Sequence, residues 1–294
     1  MKIAIYGQFY QNSTEPIIRD IFQFFTQNKV ELVVEQDFLL LLNEKHLLDE
    51  AFATFTSHSD LDASFDMLLS IGGDGTILRA ITLVRDSGIP VLGINAGRLG
   101  FLASVQKENI TDFLQLVLDK KYRISKRSLL SLSCNPTNEA IDKLNFAMNE
   151  ITVSRKDTTS MITIETKLND EFLNSYWADG LIIATPTGST GYSMSCGGPI
   201  LTPEVTSLVI TPIAPHNLNA RPLVIPDSTQ IKLKVSGRED NYLVSLDSRI
   251  AAIPNDSELT IEKTNFHINM VEIPNETFLK TLRNKLMWGE DKRN

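Results

Sequence analysis

The hydrophobic periodicity changes once along this chain, and that change limits the folds open to it. In the N-terminal part, short apolar runs alternate with longer segments whose apolar residues recur with helical spacing. Strands that alternate with helices favour a parallel sheet flanked by helices. The predicted strands cover 2–6, 30–34, 66–71 and 90–94, and the predicted helices cover 15–27, 43–52, 76–85 and 110–118.

Beyond Tyr122, apolar residues alternate singly with polar ones, which is typical of strands with one buried face. We therefore predict an α/β domain over residues 1–122 and a β-rich domain over residues 123–274. Helical spacing returns after Asn275, which is placed to cap an amphipathic helix that needs a surface to cover. The strands predicted for the β-rich domain are 128–134, 145–153, 161–166, 181–184, 208–213, 231–235, 259–262 and 268–270.

The composition is that of a soluble globular protein, with 42% hydrophobic and 22% charged residues. The formal net charge of −8 argues against nucleic acid or an anionic membrane surface as a partner, and no apolar run is long enough to span a membrane. The two cysteines, Cys134 and Cys196, form no CxxC pair, so neither a disulfide framework nor a structural zinc site is predicted. The N-terminus does not resemble a signal peptide, and we expect a cytoplasmic protein.

The sequence Gly-Gly-Asp-Gly-Thr at 72–76 joins a predicted buried strand to a predicted helix. Glycines allow backbone N–H groups to approach a ligand closely, and the N-terminus of a helix favours phosphate. The sequence is neither a Walker loop nor a GxGxxG motif. The alternative interpretation is a plain glycine-rich turn in which Asp74 caps the helix.

A second polar cluster covers residues 185–193, where hydroxyl side chains and glycines dominate and Tyr192 is aromatic. Such a segment suits hydrogen bonding to a polar ligand, although a polar loop between strands is the alternative. Asn149 and Glu150 interrupt an otherwise apolar strand, either as ligand-binding groups or as an ordinary pair with one side chain in solvent. His216 lies among turn residues and is a candidate pocket residue.

These segments in this order, together with Asp179-Gly180, resemble the NAD kinase family. The resemblance extends from about residue 3 to residue 288 and includes the sequences at 95–102 and 215–223. The turn at 72–76 alone is shared with diacylglycerol-kinase-like lipid kinases and phosphofructokinases. The combination is specific to NAD kinases.

The resemblance implies transfer of the γ-phosphate of ATP to the 2′-hydroxyl of the adenosine ribose of NAD, which yields NADP; whether polyphosphate replaces ATP is left open. It implies an α/β N-terminal domain, a β-rich C-terminal domain and substrates in the cleft between them. The C-terminal helix of the family packs on the first domain, which adds residues 275–294 to residues 1–122. A divalent cation, normally Mg²⁺, is delivered with ATP, and the protein is expected to be a homodimer or homotetramer.

Carried over by position, Asp74 matches the catalytic carboxylate and would act as the general base. No resident metal ligand is predicted. Two departures from the family pattern concern binding: Gly191 stands where many members have alanine, and Asp247-Ser248-Arg249 replaces the commoner Asp-Gly-Gln. The predicted substrate-binding residues are Asp74, Gly75, Arg79, Asn149, Glu150, Ser160, Asp179, Thr190, Gly191, Tyr192, Ser193, Met194, Ser195 and Arg249.

Two other functions are alternatives to this one. A lipid kinase of the diacylglycerol-kinase type would need an acyl channel and a membrane-binding surface, and the net charge of −8 and the lack of a basic amphipathic helix disfavour both. A sensor that binds NAD without turnover is the non-enzyme alternative, and the presence of Asp74 argues against it.

Overall fold

The computed structural model describes residues 1–8, 14–48, 51–95, 99–103, 110–157, 160–274 and 276–288, and they divide into two compact units. The α/β unit comprises Met1–Lys126 and Ile268–Asn294, and the β-rich unit comprises Arg127–His267. The chain thus enters the β-rich unit at Arg127 and returns to the α/β unit at Ile268.

The helices and strands are as follows. The helices are α1 (Glu15–Gln27), α2 (Gln36–Glu44), α3 (Asp74–Val84), α4 (Ile110–Leu118), α5 (Glu139–Asp142), α6 (Tyr192–Ser195) and α7 (Phe278–Leu286). The strands are β1 (Lys2–Gly7), β2 (Glu31–Glu35), β3 (Ala53–Phe55), β4 (Met67–Gly72), β5 (Val91–Asn95), β6 (Arg123–Asn135), β7 (Phe146–Ala147), β8 (Glu150–Ser154), β9 (Ile162–Leu168), β10 (Glu171–Ala178), β11 (Gly180–Ala184), β12 (Ser207–Ile213), β13 (Leu223–Pro226), β14 (Ile231–Ser236), β15 (Asn241–Leu246), β16 (Arg249–Pro254) and β17 (Glu258–Glu272).

The α/β unit is built on a parallel sheet with the strand order β3-β2-β1-β4-β5. The end of β17 lies beside β5, with Met270 opposite Val91. Strands of this sheet are apolar on both faces, and side chains such as Ile5 and Leu69 share one core with Phe25 of α1. The order of the strands along the chain reverses between β1 and β4, which makes the carboxyl ends of these two strands a topological switch point.

One predicted helix in this unit is wrong. The helix expected over residues 43–52 is α2 instead, which begins at Gln36 and ends at Glu44. The Glu35 side chain caps α2 by accepting a hydrogen bond from the N–H of Phe38. The apolar run at 38–42 then supplies the buried face, and a continuous apolar run of this length does not by itself distinguish a helix from a strand.

The β-rich unit contains two antiparallel sheets. One has the order β13-β12-β11-β8-β15-β16. The other runs β10-β9-β14-β17, with β6 beside β17 and β7 beside β6. Side chains of both sheets, among them Val153, Ile183 and Leu233, form a common apolar core. The strands β10, β13, β15 and β16 have no counterpart among the predicted strands, because their alternation is short or interrupted by polar residues.

The C-terminal helix packs on the α/β unit, as predicted. The ring of Phe278 in α7 lies 6.3 Å from the ring of Phe101, and the Lys285 ammonium lies 5.8 Å from the same Phe101 ring. Thr277 caps this helix by accepting from the N–H of Lys280, whereas the predicted cap, Asn275, lies outside the described residues. The predicted fold class is confirmed. Among the described helices, none has the length and apolar character needed to cross a membrane.

Candidate functional site

The carboxyl edge of the parallel sheet carries the first candidate region. Tyr6 on β1 lies opposite Ser70 on β4, and the two strands end at Gly7 and Gly72. Ligands of open α/β sheets bind outside the carboxyl ends of the strands, at the point where the strand order reverses. The 72–76 turn leads from β4 into α3 at this point.

The three glycines of the 72–76 turn are required for different reasons or border open space. A Cβ atom at Gly72 would overlap the side chain of Thr76, so packing within the turn requires glycine there. Gly73 has an ordinary extended conformation, with φ −100°, and a Cβ atom at Gly73 or Gly75 would meet nothing within 4 Å. These two positions therefore border open space at the N-terminus of α3, where a phosphate would be favoured.

Asp74 is the first residue of α3, and its carboxylate is held by a second segment of the same unit. Oδ2 accepts the N–H of Phe101 at 2.7 Å, and Oδ1 accepts the N–H groups of Leu102 at 3.0 Å and Ala103 at 3.1 Å. A Cβ atom at Gly100 would overlap the same carboxylate. The N-cap residue of α3 is Gly73, so Asp74 is not the cap that the plain-turn interpretation requires.

Arg79 lies on the exposed face of α3. Its charge affects the pKa of Tyr6, a residue that the sequence analysis did not identify. Burial raises the pKa of the Tyr6 phenol, the Glu35 carboxylate adds to the rise, and the Arg79 guanidinium opposes it. Tyr6 and Glu35 stand at the ends of β1 and β2. Their position at the carboxyl ends of predicted parallel strands is the signal that could have identified them.

The second candidate region, in the β-rich unit, surrounds Asn149 and Glu150, where β8 begins. Glu150 is 9% exposed. Asn149 Oδ1 and Glu150 Oε2 are buried and have no hydrogen-bond partner among the described residues. Buried polar atoms in proteins are normally paired. Two adjacent exceptions indicate a place for the hydrogen-bond donors of a ligand.

The polar segment 185–193 is built against this pair. The N–H of Thr185 donates to the carbonyl oxygen of Asn149 at 2.9 Å, and a Cβ atom at Gly188 would overlap the backbone of Asn149. A Cβ atom at Gly191 would lie 3.0 Å from Glu150 Oε2. Glycine at 191, one of the two departures from the family pattern, thus leaves room beside an unpartnered carboxyl oxygen.

The predicted binding residues at 190 and 192–195 differ in their burial and in their hydrogen bonds. Tyr192 and Ser195 are exposed, and Met194 is half-buried. Ser193 is buried, and its hydroxyl is 2.8 Å from that of Thr211, which is a contact inside the unit. The hydroxyl of Thr190 donates to the carbonyl oxygen of Thr187 at 3.1 Å.

Two other predicted binding residues of the β-rich unit, Asp179 and Ser160, are separated in sequence from Asn149 and Glu150. The Asp179 carboxylate forms an ion pair with Arg155 at 3.0 Å, and the N–H of Arg155 donates to the Asp179 carbonyl oxygen. Ser160 is half-buried. His216, the candidate pocket residue, has its ring 4.4 Å from the exposed ring of Trp177.

The turn between β15 and β16 contacts the backbone on both sides of Met148. The Asp247 carboxylate accepts the N–H groups of Met148, Asn149 and Glu150 at 3.0, 2.8 and 3.2 Å. The Arg249 guanidinium donates to two backbone carbonyl oxygens earlier in the segment, those of Leu144 and Phe146. Sequence reasoning gave Asp247 no role, because only the fold brings this turn to residue 149.

The Glu150 carboxyl group has an unusual pKa. Burial raises it from 4.5 to about 8, and the charge of the neighbouring Asp247 contributes to the rise, while the N–H of Tyr192 lowers it. Within the described ranges, no three or more His, Cys, Asp or Glu side chains are grouped so as to hold a metal ion.

The chain matches two family models. Residues 3–122 match the ATP-NAD kinase N-terminal domain, and residues 148–273 match the ATP-NAD kinase C-terminal domain. It is 74% identical to the NAD kinase of Flavobacterium psychrophilum and 55% identical to that of Christiangramia forsetii, over 294 residues that make up all of each chain. Among solved structures, it is similar to yeast NADH kinase complexed with NADH, with a TM-score of 0.84, 25% identity and coverage of 98% of this chain and 88% of the other. It is also similar to an NAD kinase from Archaeoglobus fulgidus in complex with ATP, with a TM-score of 0.75, 26% identity and coverage of 98% and 99%.

Proposed function

Because the chain belongs to the ATP-NAD kinase family, we propose that it transfers the γ-phosphate of ATP to the 2′-hydroxyl of the adenosine ribose of NAD. The hydroxyl oxygen forms a bond to the γ-phosphorus, and the bond between that phosphorus and the β,γ-bridging oxygen breaks. The products are NADP and ADP, and the hydroxyl proton goes to a carboxylate of the protein.

The observation that carries this proposal is the pair of buried oxygen atoms on Asn149 and Glu150 that have no partner among the described residues. The adenosine part of NAD offers suitable partners, namely an exocyclic amino group and two ribose hydroxyls. With a pKa of about 8, Glu150 keeps its proton near neutral pH. It can then donate one hydrogen bond and accept another, which matches a ribose hydroxyl.

Asp74 is the proposed proton acceptor. A ribose hydroxyl is a weak nucleophile, and a positioned carboxylate that takes its proton assists the transfer. The three N–H bonds from 101–103 fix the orientation of this carboxylate. Among the described residues, Oδ2 accepts one of these bonds and Oδ1 two, which leaves Oδ2 a lone pair for the proton.

The phosphates of ATP are proposed to lie at the N-terminus of α3. The open space beside Gly73 and Gly75 admits them, and the helix terminus and Arg79 supply positive potential. Phosphoryl transfer depends mainly on positioning and charge neutralisation. The divalent cation, proposed to be Mg²⁺, enters as part of the MgATP substrate.

The remaining parts of the proposal come from the family resemblance. The protein is proposed to be cytoplasmic and to form a homodimer or homotetramer, with NAD and ATP as its ligands. Neither nucleic acid nor a membrane is proposed as a partner. The solved relatives that carry NADH and ATP support both ligand classes.

Incubation of the protein with NAD, ATP and Mg²⁺ tests the function, with NADP detected by a dehydrogenase that reads the 2′-phosphate. NADP should form only when NAD and ATP are both present, and a parallel reaction with polyphosphate shows whether another donor is used. Calorimetric binding of NAD without any NADP would instead support the sensor and contradict the kinase.

A further inference from the structure

The backbone that carries Asn149 and Glu150 is not held by regular strand pairing alone. β7 ends at Ala147 and β8 begins at Glu150, so Met148 and Asn149 lie between two strands. Their N–H groups, with that of Glu150, converge on a single carboxylate, that of Asp247. The N–H of Asp247 donates in return to the carbonyl oxygen of Glu150 at 3.0 Å.

The same turn holds the carbonyl groups of the preceding residues. Arg249 donates to the carbonyl oxygen of Leu144 at 2.6 Å and also to that of Phe146. Its guanidinium carbon lies 5.5 Å from the centroid of the Phe146 ring. A planar guanidinium can donate to two acceptors at once, and an ammonium on a flexible stem cannot reproduce that geometry.

We propose that Asp247 and Arg249 are positioning residues, which fix the backbone from Leu144 to Glu150 and thereby aim the side chains of Asn149 and Glu150 at the adenosine of NAD. The inference rests on the proposed function. It also replaces the expectation that Arg249 contacts the ligand itself: in the Asp-Ser-Arg sequence, the long side chain is used on backbone carbonyl groups.

The charge of Asp247 has a second effect on Glu150. Burial raises the pKa of Asp247, and the three N–H donors and the Arg249 guanidinium oppose that rise. The three N–H donors and the guanidinium suit a charged Asp247 carboxylate, and a charge there is one cause of the raised pKa of Glu150. The ionisable groups that face Glu150 are Asp247 from the β15–β16 turn and Tyr192 from α6.

Asp247→Asn tests the carboxylate. Its amide nitrogen must face at least one of the N–H donors, so the segment loses its fixed position. We expect the NAD KM and the calorimetric NAD Kd to rise about tenfold or more, which corresponds to the loss of one charge-assisted hydrogen bond. The ATP KM should change less than about twofold. The pH midpoint of kcat/KM for NAD should also fall, because one cause of the raised pKa of Glu150 is removed.

Asp60→Asn is the matched control. Asp60 also accepts backbone N–H groups, those of Thr56 and Ser57, but it is exposed and lies in the α/β unit. We expect a smaller loss of melting temperature than for Asp247→Asn, with unchanged KM and Kd for NAD. If Asp247→Asn also changed only the melting temperature, the positioning role would be overturned.

Arg249→Lys provides a second test that does not depend on the folding of the first variant. The positive charge remains, but only one carbonyl group can be held well. A positioning role predicts a higher NAD KM, and this increase should be smaller in the Glu150→Ala background, since part of it acts through the Glu150 side chain. Additive effects in this double-mutant cycle would indicate a direct contact with NAD and would overturn the inference.

Different results would contradict the proposed kinase function and the positioning role. Wild-type protein that binds NAD but yields no NADP contradicts the kinase function, and the calorimetric effects of Asp247→Asn and Arg249→Lys still decide the positioning role. Wild-type protein that neither binds nor phosphorylates NAD contradicts both.

Discussion

At the scale of single residues, the two candidate regions use carboxyl groups in opposite ways. Asp74 accepts hydrogen bonds from the N–H groups of Phe101, Leu102 and Ala103, which orient its carboxylate. Glu150 is buried beside another carboxylate, which suits the neutral form. Carboxyl groups with such different environments can divide the tasks of accepting a proton and donating a hydrogen bond.

The role of Asp74 as proton acceptor can be tested by Asp74→Asn. An amide does not take up the hydroxyl proton, so kcat should fall by about 10²–10⁴, while the NAD Kd measured by calorimetry changes much less. Gly100→Ala is the matched control. The added methyl group overlaps the Asp74 carboxylate and displaces it, but the carboxylate can still take up a proton. Near-normal turnover of folded Asp74→Asn would remove the role.

Glu150 links function to the pH dependence of stability. Its pKa rises from 4.5 to about 8 on folding, so the folded state binds more protons than the unfolded state between these values. Stability contributed by this group is therefore complete below about pH 4.5 and is lost as the pH rises to about 8. Each pKa unit corresponds to about 1.4 kcal/mol, so the loss should reach a few kcal/mol.

Glu150→Gln removes this titration while it keeps the shape of the neutral acid. The melting temperature of Glu150→Gln should rise relative to that of the wild type as the pH is raised from about 5 to about 8. For Glu150→Ala we expect the NAD KM at neutral pH to rise about tenfold to a hundredfold. The rise for Glu150→Gln should be smaller. The ATP KM should change little in both variants. A difference in melting temperature that is constant with pH would contradict the raised pKa.

At the scale of secondary-structure elements, α7 supports the segment that holds Asp74. Phe101 donates its N–H to the Asp74 carboxylate, and its ring packs against Phe278 and below Lys285 of this helix. The helix thus does more than cover apolar surface. It restricts the peptide groups that orient the proposed base.

Phe278→Ala should therefore lower kcat by about threefold to tenfold, because small displacements of a catalytic group reduce the rate. The NAD KM should stay nearly constant. Leu279→Ala is the control on the same helix, since Leu279 is 60% exposed. Steady-state kinetics with both variants, corrected for the folded fraction, make the comparison, and equal effects of the two changes would exclude a specific role of Phe278.

At the scale of the whole molecule, the proposed self-association can be assigned to one unit. The β-rich unit has large exposed apolar side chains at Phe172 and Trp177 on the edge strand β10, and at Leu218 in the loop between β12 and β13. Leu218 is 90% exposed. The backbone of Trp177 is bonded to His216 and Asn217, which keeps this loop next to the strand. Exposed apolar side chains that form a patch mark interfaces between proteins, and we predict the subunit interface here.

Light scattering over a range of concentrations should give the mass of a dimer or tetramer for the wild type. Leu218→Asp should lower that mass, because a charge would have to be buried in the interface. Leu40→Asp, at a side chain of α2 that is 54% exposed, should leave it unchanged. A monomeric wild type would contradict the prediction.

The sequence by itself determined the architecture of each unit and the 72–76 turn, and the family resemblance made residues 149 and 150 candidates for binding. These features depend on local physics: periodicity assigns the buried faces, and glycines mark turns. It failed for α2, where an apolar run is ambiguous without its cap, and for strands such as β15 and β16, whose pattern is short.

Only the tertiary structure decided the surroundings of the key side chains. The N–H groups of 101–103 around Asp74, the Asp247 carboxylate beneath residues 148–150 and the raised pKa of Glu150 all depend on groups far apart in the sequence. Hydrogen bonds and desolvation act over a few ångströms of space, and no periodicity or motif encodes which distant residues meet there. That is why the sequence could identify Asn149 and Glu150 but could not reveal what holds them.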